Sequence, residues 1–231
     1  MTKKHILLFS LISIILASCS LKTDGFTQAG YIYGTYRQVG VEYFIEDDDS
    51  VKVLLQNQDK RQELIGKRFF TIGDLSYGGL PESYIAKLNV RLMEEMPIYE
   101  PLRIYSEDEL EGYRTDGILI DKNFPYGYLW SYGKYVNFIF GVAVADHTKH
   151  KFHYFINTDE EARSTGSIQI YIRHDASQDS SLNANTQDFK MFYHSIDMTK
   201  YLDIIKRGNT IFQLNYISPE GVAMKEDITI Y

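Results

Sequence analysis

Three histidines spaced three residues apart, His147, His150 and His153, are the side chains best suited to chemistry in this chain. Three imidazoles are a familiar ligand set for a catalytic zinc ion. The first two lie in a polar turn, however, whereas His153 lies in a segment that alternates like a strand. Side chains share a face of a strand only at even spacing, so His150 and His153 are expected to point apart. We therefore predict no metal site, and a metal-dependent hydrolase is the least favoured function.

A second polar group is the tripeptide Arg173-His174-Asp175. Alternation along Ile168–Ile172 places His174 on the isoleucine face of a strand and Arg173 on the other face. In one interpretation, Arg173 pairs with a neighbouring carboxylate and His174 bonds a turn carbonyl. In the other, the two side chains form a polar recognition spot at the edge of a sandwich. Strand-end histidines usually serve local hydrogen bonds, so the first is favoured, while both residues remain candidates for a binding surface.

The densest aromatic stretch spans residues 124–132, where Gly and Pro interrupt any regular strand. Aromatic rings on loops stack on sugars or contact protein partners. We therefore predict a binding surface that comprises Phe124, Tyr126, Tyr128, Trp130 and Tyr132. The sequence contains no Gly-x-Ser-x-Gly elbow, and its carboxylates concentrate in turns and in an acidic segment. It accordingly predicts no catalytic residue and no cofactor.

The N-terminus has the layout of a bacterial export signal that ends in a lipid attachment site. Two lysines precede an apolar run over residues 6–16, which is too short to span a bilayer as a stable helix. The next residues, Leu16-Ala17-Ser18-Cys19, resemble a lipobox, in which cleavage precedes a lipidated cysteine. Cys19 is the only cysteine, so it has no partner for an internal disulfide. We predict a signal peptide over residues 1–18 and a lipid anchor at Cys19.

The residues after the anchor indicate which membrane holds it. Ser20 stands where an aspartate would favour the inner membrane, so the outer membrane is predicted. The tether, residues 19–25, lacks a dense acidic cluster of the kind that accompanies surface export, which favours the periplasmic face. Each buried methylene contributes about 0.8 kcal/mol, so several acyl chains would hold the protein firmly.

The charge balance excludes one class of partner. The chain has 24 basic and 31 acidic residues, which gives a net charge of −7. Removing residues 1–18 takes away two lysines and no acids, so 22 basic residues remain and the net charge becomes −9. An acidic surface repels phosphate backbones, and nucleic acid is therefore not a predicted partner. The abundance of Tyr (19) and Phe (13) and the scarcity of Pro (5) favour sheets.

Alternation is common along the chain and helical periodicity is scarce, which predicts an all-β protein. About five strand segments occupy residues 26–105, and residues 117–231 contain about six or seven more. Between them, residues 106–116 are polar, acidic and poor in β-formers, which predicts a linker. Residues 197–205 favour a short helix with Asp197 as its N-cap. This arrangement matches a small barrel followed by a sandwich.

Four segments behind the lipobox resemble, in order and spacing, the NigD-like lipoproteins of Bacteroidetes-type bacteria. They are Gly66-Lys-Arg-Phe-Phe70, Lys151–Asn157, Ile172–Ala176 and Ser195-Ile-Asp-Met198. The resemblance implies an N-terminal OB-like barrel and a C-terminal immunoglobulin-like β-sandwich. The family name also implies an immunity or accessory role, and the resemblance implies no catalytic residues. The acidic run that commonly follows the family's cysteine is missing here.

These observations predict a lipid-anchored, non-catalytic binding or interaction protein of the cell envelope, of the immunity type that the resemblance implies. Its predicted partners are the membrane, through Cys19, and an envelope protein or glycan. The alternative is a glycan- or peptide-binding accessory of an uptake system, which would use the aromatic surface around Trp130.

Overall fold

A computed structural model describes residues 27–56, 61–123, 128–158, 167–179, 188–203 and 211–229. The signal peptide, Cys19 and the tether lie outside the described residues, as do Phe124, Tyr126 and the side chain of Tyr132. Within the described ranges, the regular structure consists of strands and short 3-10 turns, which confirms the predicted all-β class. No helix in these ranges is long and apolar enough to cross a membrane.

The first five strands close into a barrel. They are β1 (Thr27–Val39), β2 (Glu42–Glu46), β3 (Lys52–Gln56), β4 (Arg68–Ser76) and β5 (Ala86–Glu95). Their order around the barrel is β1-β2-β3-β5-β4, and pairing between β4 and β1 completes the circle. Only β3 and β5 run parallel among these neighbours. This architecture confirms the predicted OB-like barrel.

Alternation along the strands builds the barrel core. In β1, Ile32 and Tyr36 are buried, and the residues on either side of them are more exposed. They belong to one apolar cluster with Tyr43, Ile45, Val53, Phe69, Ala86 and Leu88. The register of β4 against β5 shifts at Gly73, where a Cβ atom would lie 2.1 Å from the carbonyl oxygen of Asn89. Glycine therefore permits the close approach that accompanies this irregularity in the closed sheet.

The remaining strands form two stacked sheets. They are β6 (Ile98–Tyr99), β7 (Leu102–Ile104), β8 (Leu129–Tyr132), β9 (Tyr135–Val144), β10 (Lys151–Asn157), β11 (Ser167–Asp175), β12 (Asp188–Asp197), β13 (Ile211–Ile217) and β14 (Ala223–Thr229). One sheet has the order β14-β13-β11-β10-β7 and the other has the order β6-β12-β9-β8. A shared apolar cluster between them includes Phe138, Phe140, Ile156, Ile170 and Leu214. This is the predicted β-sandwich.

Strand β9 is buried along nearly its whole length. Its inward residues, such as Phe138 and Phe140, fill the sandwich core, while Asn137 on its other face meets the barrel residue Arg68. A strand that is buried on both faces has a nearly continuous apolar sequence, without the alternation of apolar and polar residues that a half-exposed strand has. Strand β9 thus contributes to the contact between barrel and sandwich through Asn137.

The strand pairing differs from the predicted domain boundary at residue 105. β6 runs parallel to β12 and β7 runs parallel to β10, so residues 98–104 belong to the sandwich sheets rather than to the barrel. The predicted linker, residues 106–116, is also docked: a capping box joins Ser106 and Glu109, and Leu110 is buried beside Ile104. Polar composition concealed this docking because the contacts come from isolated residues of the segment, Leu110, Tyr113 and Glu107.

The predicted helix near Asp197 is reduced to a 3-10 turn over Thr199–Tyr201. Strand β12 continues to Asp197, whose Oδ1 accepts the backbone N–H of Thr199 at 2.8 Å. This carboxylate therefore stabilises a tight turn after a strand, and residues 204–205 of the predicted helix lie outside the described ranges. Residues 92–95 belong to β5, which continues to Glu95.

Candidate functional site

Arg68 of β4 stands at the centre of the junction between barrel and sandwich, with its side chain only 1% exposed. Its guanidinium makes two hydrogen bonds with Asp48, at 2.6 and 2.9 Å. It also donates to Ser195 Oγ at 3.3 Å and to Asn137 Oδ1 at 3.4 Å. The ring of Tyr135 lies 4.1 Å from the guanidinium carbon. These bonds hold the β2–β3 turn, which carries Asp48, beside the sandwich.

A row of aromatic rings crosses the same junction. Tyr33 stacks on Phe70 within the barrel, with ring centroids 5.2 Å apart, and Phe70 stacks on Tyr193 of the sandwich at 4.9 Å. Trp130 on β8 lies 4.2 Å from Tyr33, and Tyr31 meets the edge of Tyr33 at 5.5 Å. Contacts of this kind contribute more than their buried area alone. The row therefore joins the two domains and presents Tyr31, which is 45% exposed, to solvent.

A cleft of about 240 Å³ opens where this aromatic row meets the β2–β3 turn. We call it the junction cleft; its lining consists of Tyr31, Ile32, Tyr33, Asp47, Asp48, Asp49 and Trp130. Aromatic rings thus face carboxylates across it. Burial raises the pKa of the Tyr33 phenol, and the hydroxyl has no hydrogen-bond partner among the described residues. The cleft can therefore offer ring faces and hydrogen-bond acceptors to a ligand.

The carboxylates of the cleft differ in how they are held. Asp47 Oδ1 accepts the backbone N–H groups of Asp49 at 2.9 Å and Val51 at 2.8 Å, which shapes the turn. Burial raises the pKa of Asp47, and the negative charges of Asp49 and Asp48 raise it further. The two backbone hydrogen bonds lower this pKa but do not cancel the rise. Asp48 is engaged by Arg68, whereas Asp49 is exposed. Asp49 is therefore the carboxylate most accessible to a ligand.

The structure separates the described members of the predicted aromatic surface. Trp130 lines the junction cleft, whereas Tyr128 packs against the sandwich core and Tyr132 ends β8. Sequence reasoning missed Tyr31 and Tyr33 as neighbours of Trp130. The sequence does contain a sign of this contact. Tyr31 and Tyr33 occupy positions of β1 that point away from the barrel core, and aromatic residues at such positions indicate that another part of the protein packs there.

A larger depression of about 580 Å³ lies beside β12. Its charged lining mixes Glu94, Asp188 and Lys190, and it includes the exposed His147 from the β9–β10 turn. Among the described residues, this depression has one ring of the aromatic row, Tyr193, whereas the junction cleft is lined by Tyr31, Tyr33 and Trp130. The junction cleft is therefore the more specific candidate for binding, although it is smaller.

The three histidines of the predicted zinc alternative have separate neighbours. His147 is exposed in the 3-10 turn His147–Lys149, His153 packs edge-on against Tyr113, and His150 is buried against His174. Among the residues that the structure describes, no group of three or more His, Cys, Asp or Glu side chains is arranged to hold a metal ion. The spacing in sequence does not produce a shared site.

Arg173 and His174 do not form an accessible polar spot. His174 is 3% exposed, and its Nδ1 lies 3.2 Å from the carbonyl oxygen of Asp116. Arg173 donates to the carbonyl of Ile172 at 3.2 Å and stands over the ring of Tyr171. Burial lowers the pKa of Arg173. Both side chains therefore contact neighbouring residues of the sandwich. His174 is too deeply buried to be part of an exposed binding surface.

His150, His174 and Asp179 form a buried row that the sequence did not reveal. His150 Nδ1 lies 2.8 Å from His174 Nε2, and His150 Nε2 lies 3.1 Å from Asp179 Oδ2. The same Asp179 oxygen accepts the backbone N–H groups of Ala145 at 2.8 Å and Asp146 at 3.0 Å. Burial lowers the pKa of His174, and repulsion from His150 lowers it further. The hydrogen bond to Asp116 raises this pKa, but by less. All four imidazole nitrogens are engaged, so none is available to a substrate.

His194 is a second buried histidine, on β12. Its Nδ1 lies 2.5 Å from the Tyr154 hydroxyl, and its Nε2 lies 3.5 Å from the Tyr99 hydroxyl. Aromatic rings surround it, including Phe140 and Phe152. Burial lowers the pKa of His194 to about 3, so the imidazole stays neutral. Its environment is that of a core residue.

The fold and the junction define the class: an all-β protein that joins an OB-like barrel to a β-sandwich through a buried arginine. Several solved structures share this fold. A protein of unknown function from Bacteroides vulgatus matches with a TM-score of 0.65 at 11% identity, covering 88% of this chain and 92% of that one. A candidate lipoprotein from Bacteroides fragilis matches with a TM-score of 0.61 at 8% identity, covering 88% and 99%.

A NigD-like immunity protein from Bacteroides caccae matches with a TM-score of 0.55 at 14% identity, covering 86% of this chain and 91% of that one. The chain therefore has the fold of the NigD-like proteins, as the motif resemblance predicts. A scan against protein-family models found no match. The search of curated proteins found none either.

Proposed function

We propose that this chain is a lipid-anchored envelope protein that binds a partner in the junction cleft and has no catalytic activity of its own. The proposal rests on the contact between Trp130 of the sandwich and Tyr33 of the barrel, whose ring centroids are 4.2 Å apart. Both rings line the same cleft as the acidic β2–β3 turn. Clefts at domain junctions with aromatic walls and a few polar groups are common binding sites. The whole lining depends on both domains being present.

The placement of the titratable side chains supports binding rather than catalysis. A general base must reach the proton that it abstracts, and the described buried histidines are turned to internal partners. The junction cleft offers phenol and carboxylate groups, but none of its lining residues is a histidine, cysteine or serine. We therefore assign the cleft a recognition role.

The anchor is part of this proposal. The lipobox at Leu16–Cys19 supports lipidation of Cys19, and Ser20 supports retention at the outer membrane, with the body on the periplasmic face. One of the structures with this fold is described as a candidate lipoprotein. A short tether confines the protein to a thin layer next to the membrane and so raises its effective concentration there. This favours a partner that is itself part of the envelope.

The nature of the partner is proposed from two observations. One protein with this fold is described as an immunity protein, which favours a protein partner that this chain would occupy and block. The exposed Tyr31 beside Trp130 favours a glycan instead, because aromatic rings stack on sugars and carboxylates accept hydrogen bonds from hydroxyl groups. The protein partner is our first choice.

Crosslinking in the native envelope tests the proposal. Full-length protein is crosslinked in intact cells, and attached proteins are identified by mass spectrometry. One dominant partner that is captured by wild type and lost in Cys19→Ala would support an anchored interaction protein. Equal recovery from both, or no partner above background, would contradict the choice of a protein partner.

The glycan alternative has its own measurement. Trp130 is the only tryptophan, so its fluorescence reports on the junction cleft alone. A change on titration with envelope polysaccharides that disappears in Tyr31→Ala would support the alternative. An unchanged spectrum across a broad panel would exclude it.

A further inference from the structure

The buried row in the sandwich contains three hydrogen bonds in series. Asp179 Oδ2 lies 3.1 Å from His150 Nε2, His150 Nδ1 lies 2.8 Å from His174 Nε2, and His174 Nδ1 lies 3.2 Å from the carbonyl oxygen of Asp116. Each of these three bonds needs one proton between its two heavy atoms. The last atom in the row is a carbonyl oxygen, which can only accept.

The number of protons in the row follows from this geometry. His174 Nδ1 must donate to the Asp116 carbonyl, so a neutral His174 accepts at Nε2 from His150 Nδ1. The third bond, to Asp179, then needs a second proton on His150, while two neutral imidazoles bring only two protons in total. A doubly protonated His150 next to an ionised Asp179 completes the row. The two backbone N–H bonds to Asp179 Oδ2 favour the ionised carboxylate.

Any other number of protons breaks a bond. With one proton fewer, two lone pairs face each other at one of the three positions. With one more proton on the imidazoles, N–H groups of His150 and His174 face each other across 2.8 Å. A buried donor or acceptor that loses its partner is destabilising, so both changes are unfavourable. The lowered pKa of His174 agrees with a row in which this imidazole is the neutral one.

The row connects three separate stretches of chain. Asp179 holds the β9–β10 turn through the N–H groups of Ala145 and Asp146. His174 holds the carbonyl of Asp116, at the end of the docked segment 106–116. The Asp116 carboxylate in turn accepts the N–H of Ala176 at 2.7 Å.

Other charged groups surround the row and set its environment. Arg114 pairs with Asp116 at 3.3 Å and faces Asp175 at 3.6 Å, outside His174. Lys149 pairs with Asp146 in the turn that precedes His150. A cavity of about 250 Å³ lies on the side that faces the barrel, and His150 is part of its lining. Glu94, Glu95 and Lys190 line the same cavity. None of these groups replaces a bond within the row.

We propose that Asp179, His150 and His174 form a pH-sensitive clamp that holds these three stretches together only while the row contains three protons. The clamp is independent of the junction cleft, because it lies within the sandwich and shares no lining residue with the cleft. It opens when the pH moves far enough in either direction. The loosened parts are the β9–β10 turn, the end of segment 106–116 and residues 176–179 after β11.

Amide hydrogen exchange of the full-length protein tests the clamp directly. The exchange rates of Ala145, Asp146 and Ala176 are measured from pH 5 to pH 9, corrected for the intrinsic pH dependence, and divided by those of Leu214 and Tyr216 in the β13–β14 hairpin. We expect a maximum of protection inside this range. Loss of one hydrogen bond should lower protection about fivefold on each side, which corresponds to about 1 kcal/mol.

A matched pair of variants sharpens the result. Asp179→Asn keeps the shape of the side chain but removes the charge that balances a doubly protonated His150, so the maximum should disappear or move by a pH unit or more. Asp188→Asn removes an exposed carboxylate outside the row and should leave the maximum in place. If Asp179→Asn fails to fold, nitrogen NMR of the wild-type His150 ring provides the second readout.

That ring should show both nitrogens protonated at the pH of maximal protection. Corrected protection that stays constant from pH 5 to pH 9, or that falls in one direction only, would overturn the proposal. A His150 ring with one bare nitrogen at the maximum would overturn it as well.

Discussion

Two carboxylates are each held by a buried basic side chain in this protein, Asp48 at the junction and Asp179 inside the sandwich. Asp48 pairs with the guanidinium of Arg68, and Asp179 pairs with the imidazole of His150. A guanidinium stays charged throughout the accessible pH range, whereas an imidazole can be either charged or neutral. The comparison indicates that the contact between domains does not depend on pH, whereas the proposed clamp makes the packing at one end of the sandwich depend on it.

Removing the permanent contact should have the largest effect. Arg68→Met leaves Asp48, Ser195 and Asn137 without their shared donor in a buried place, and breaking a buried ion pair costs about 3–5 kcal/mol. Urea unfolding at pH 7 measures the free energy of unfolding. The control is Arg91→Met, since Arg91 also pairs with an aspartate but is 61% exposed, and exposed pairs contribute about 0–1 kcal/mol. Equal losses in the two variants would contradict the account of the junction.

Acidification should destabilise the sandwich by an intermediate amount. The pKa of His194 is about 3 in the folded protein, whereas an ordinary histidine has a pKa of 6.5, so below pH 6.5 the unfolded chain binds a proton that the folded chain does not. Stability therefore falls as the pH decreases from 6.5, by about 2 kcal/mol at pH 5, and His194 contributes nothing to the slope well above pH 6.5. The lowered pKa of His174 acts in the same direction. Urea unfolding at pH 7 and pH 5 measures the loss.

Replacing His194 separates this effect from general acid sensitivity. His194→Phe should lower stability at both pH values, because Tyr154 loses its partner, and should remove most of the difference between them. Phe192→Leu, a change in the same aromatic packing, should lower stability and retain the difference. A pH difference that persists in His194→Phe would assign the acid sensitivity to other groups.

The aromatic link between the domains should have a smaller effect. A double-mutant cycle with Trp130→Ala and Tyr33→Ala should give a coupling energy of about 0.5–1.5 kcal/mol, the range for aromatic pairs. The cycle is read from urea unfolding of the four proteins, since coupling requires that the two rings interact in the folded state. Additive losses would mean that the contact does not stabilise the junction.

The smallest effect on stability is expected at the rim of the junction cleft. Asp49 is exposed and its side chain does not take part in the Arg68 pair, so Asp49→Asn should change the free energy of unfolding by less than about 0.5 kcal/mol. If the cleft binds a partner, the same variant should still reduce the amount of captured partner. Thermal unfolding together with crosslinking yield measures both, and unchanged capture would argue that the ligand does not use this carboxylate.

The sequence was most informative where alternation decides structure. The alternating runs in β1, β2, β3 and β11 predicted strands, and the two-part order of strands predicted a barrel and a sandwich. It was less informative at β6 and β7, because strands of two and three residues that each begin directly after a proline have no periodicity. Their parallel pairing with β12 and β10 depends on contacts distant in sequence.

The candidate site was only partly predictable for the same reason. Trp130 was selected from its aromatic neighbourhood, but its contact with Tyr33 joins residues almost one hundred positions apart. Two of the segments that carry the family resemblance meet at the junction, where Arg68 donates to Ser195. The sequence showed these segments without the bond between them. His150 was singled out for its spacing to His147 and His153, whereas its true partners, His174 and Asp179, come from elsewhere in the chain.

The most direct test of the central claim places a photoreactive group in the junction cleft. Tyr31 is replaced with benzoylphenylalanine in the full-length lipoprotein, and Tyr105, which is 65% exposed and lies outside the cleft, is replaced in a matched control. After illumination of intact cells, the account predicts one specific adduct from position 31 that is absent from position 105 and lost in Cys19→Ala. The same adducts from both positions, or none from position 31, would contradict a binding role for the cleft.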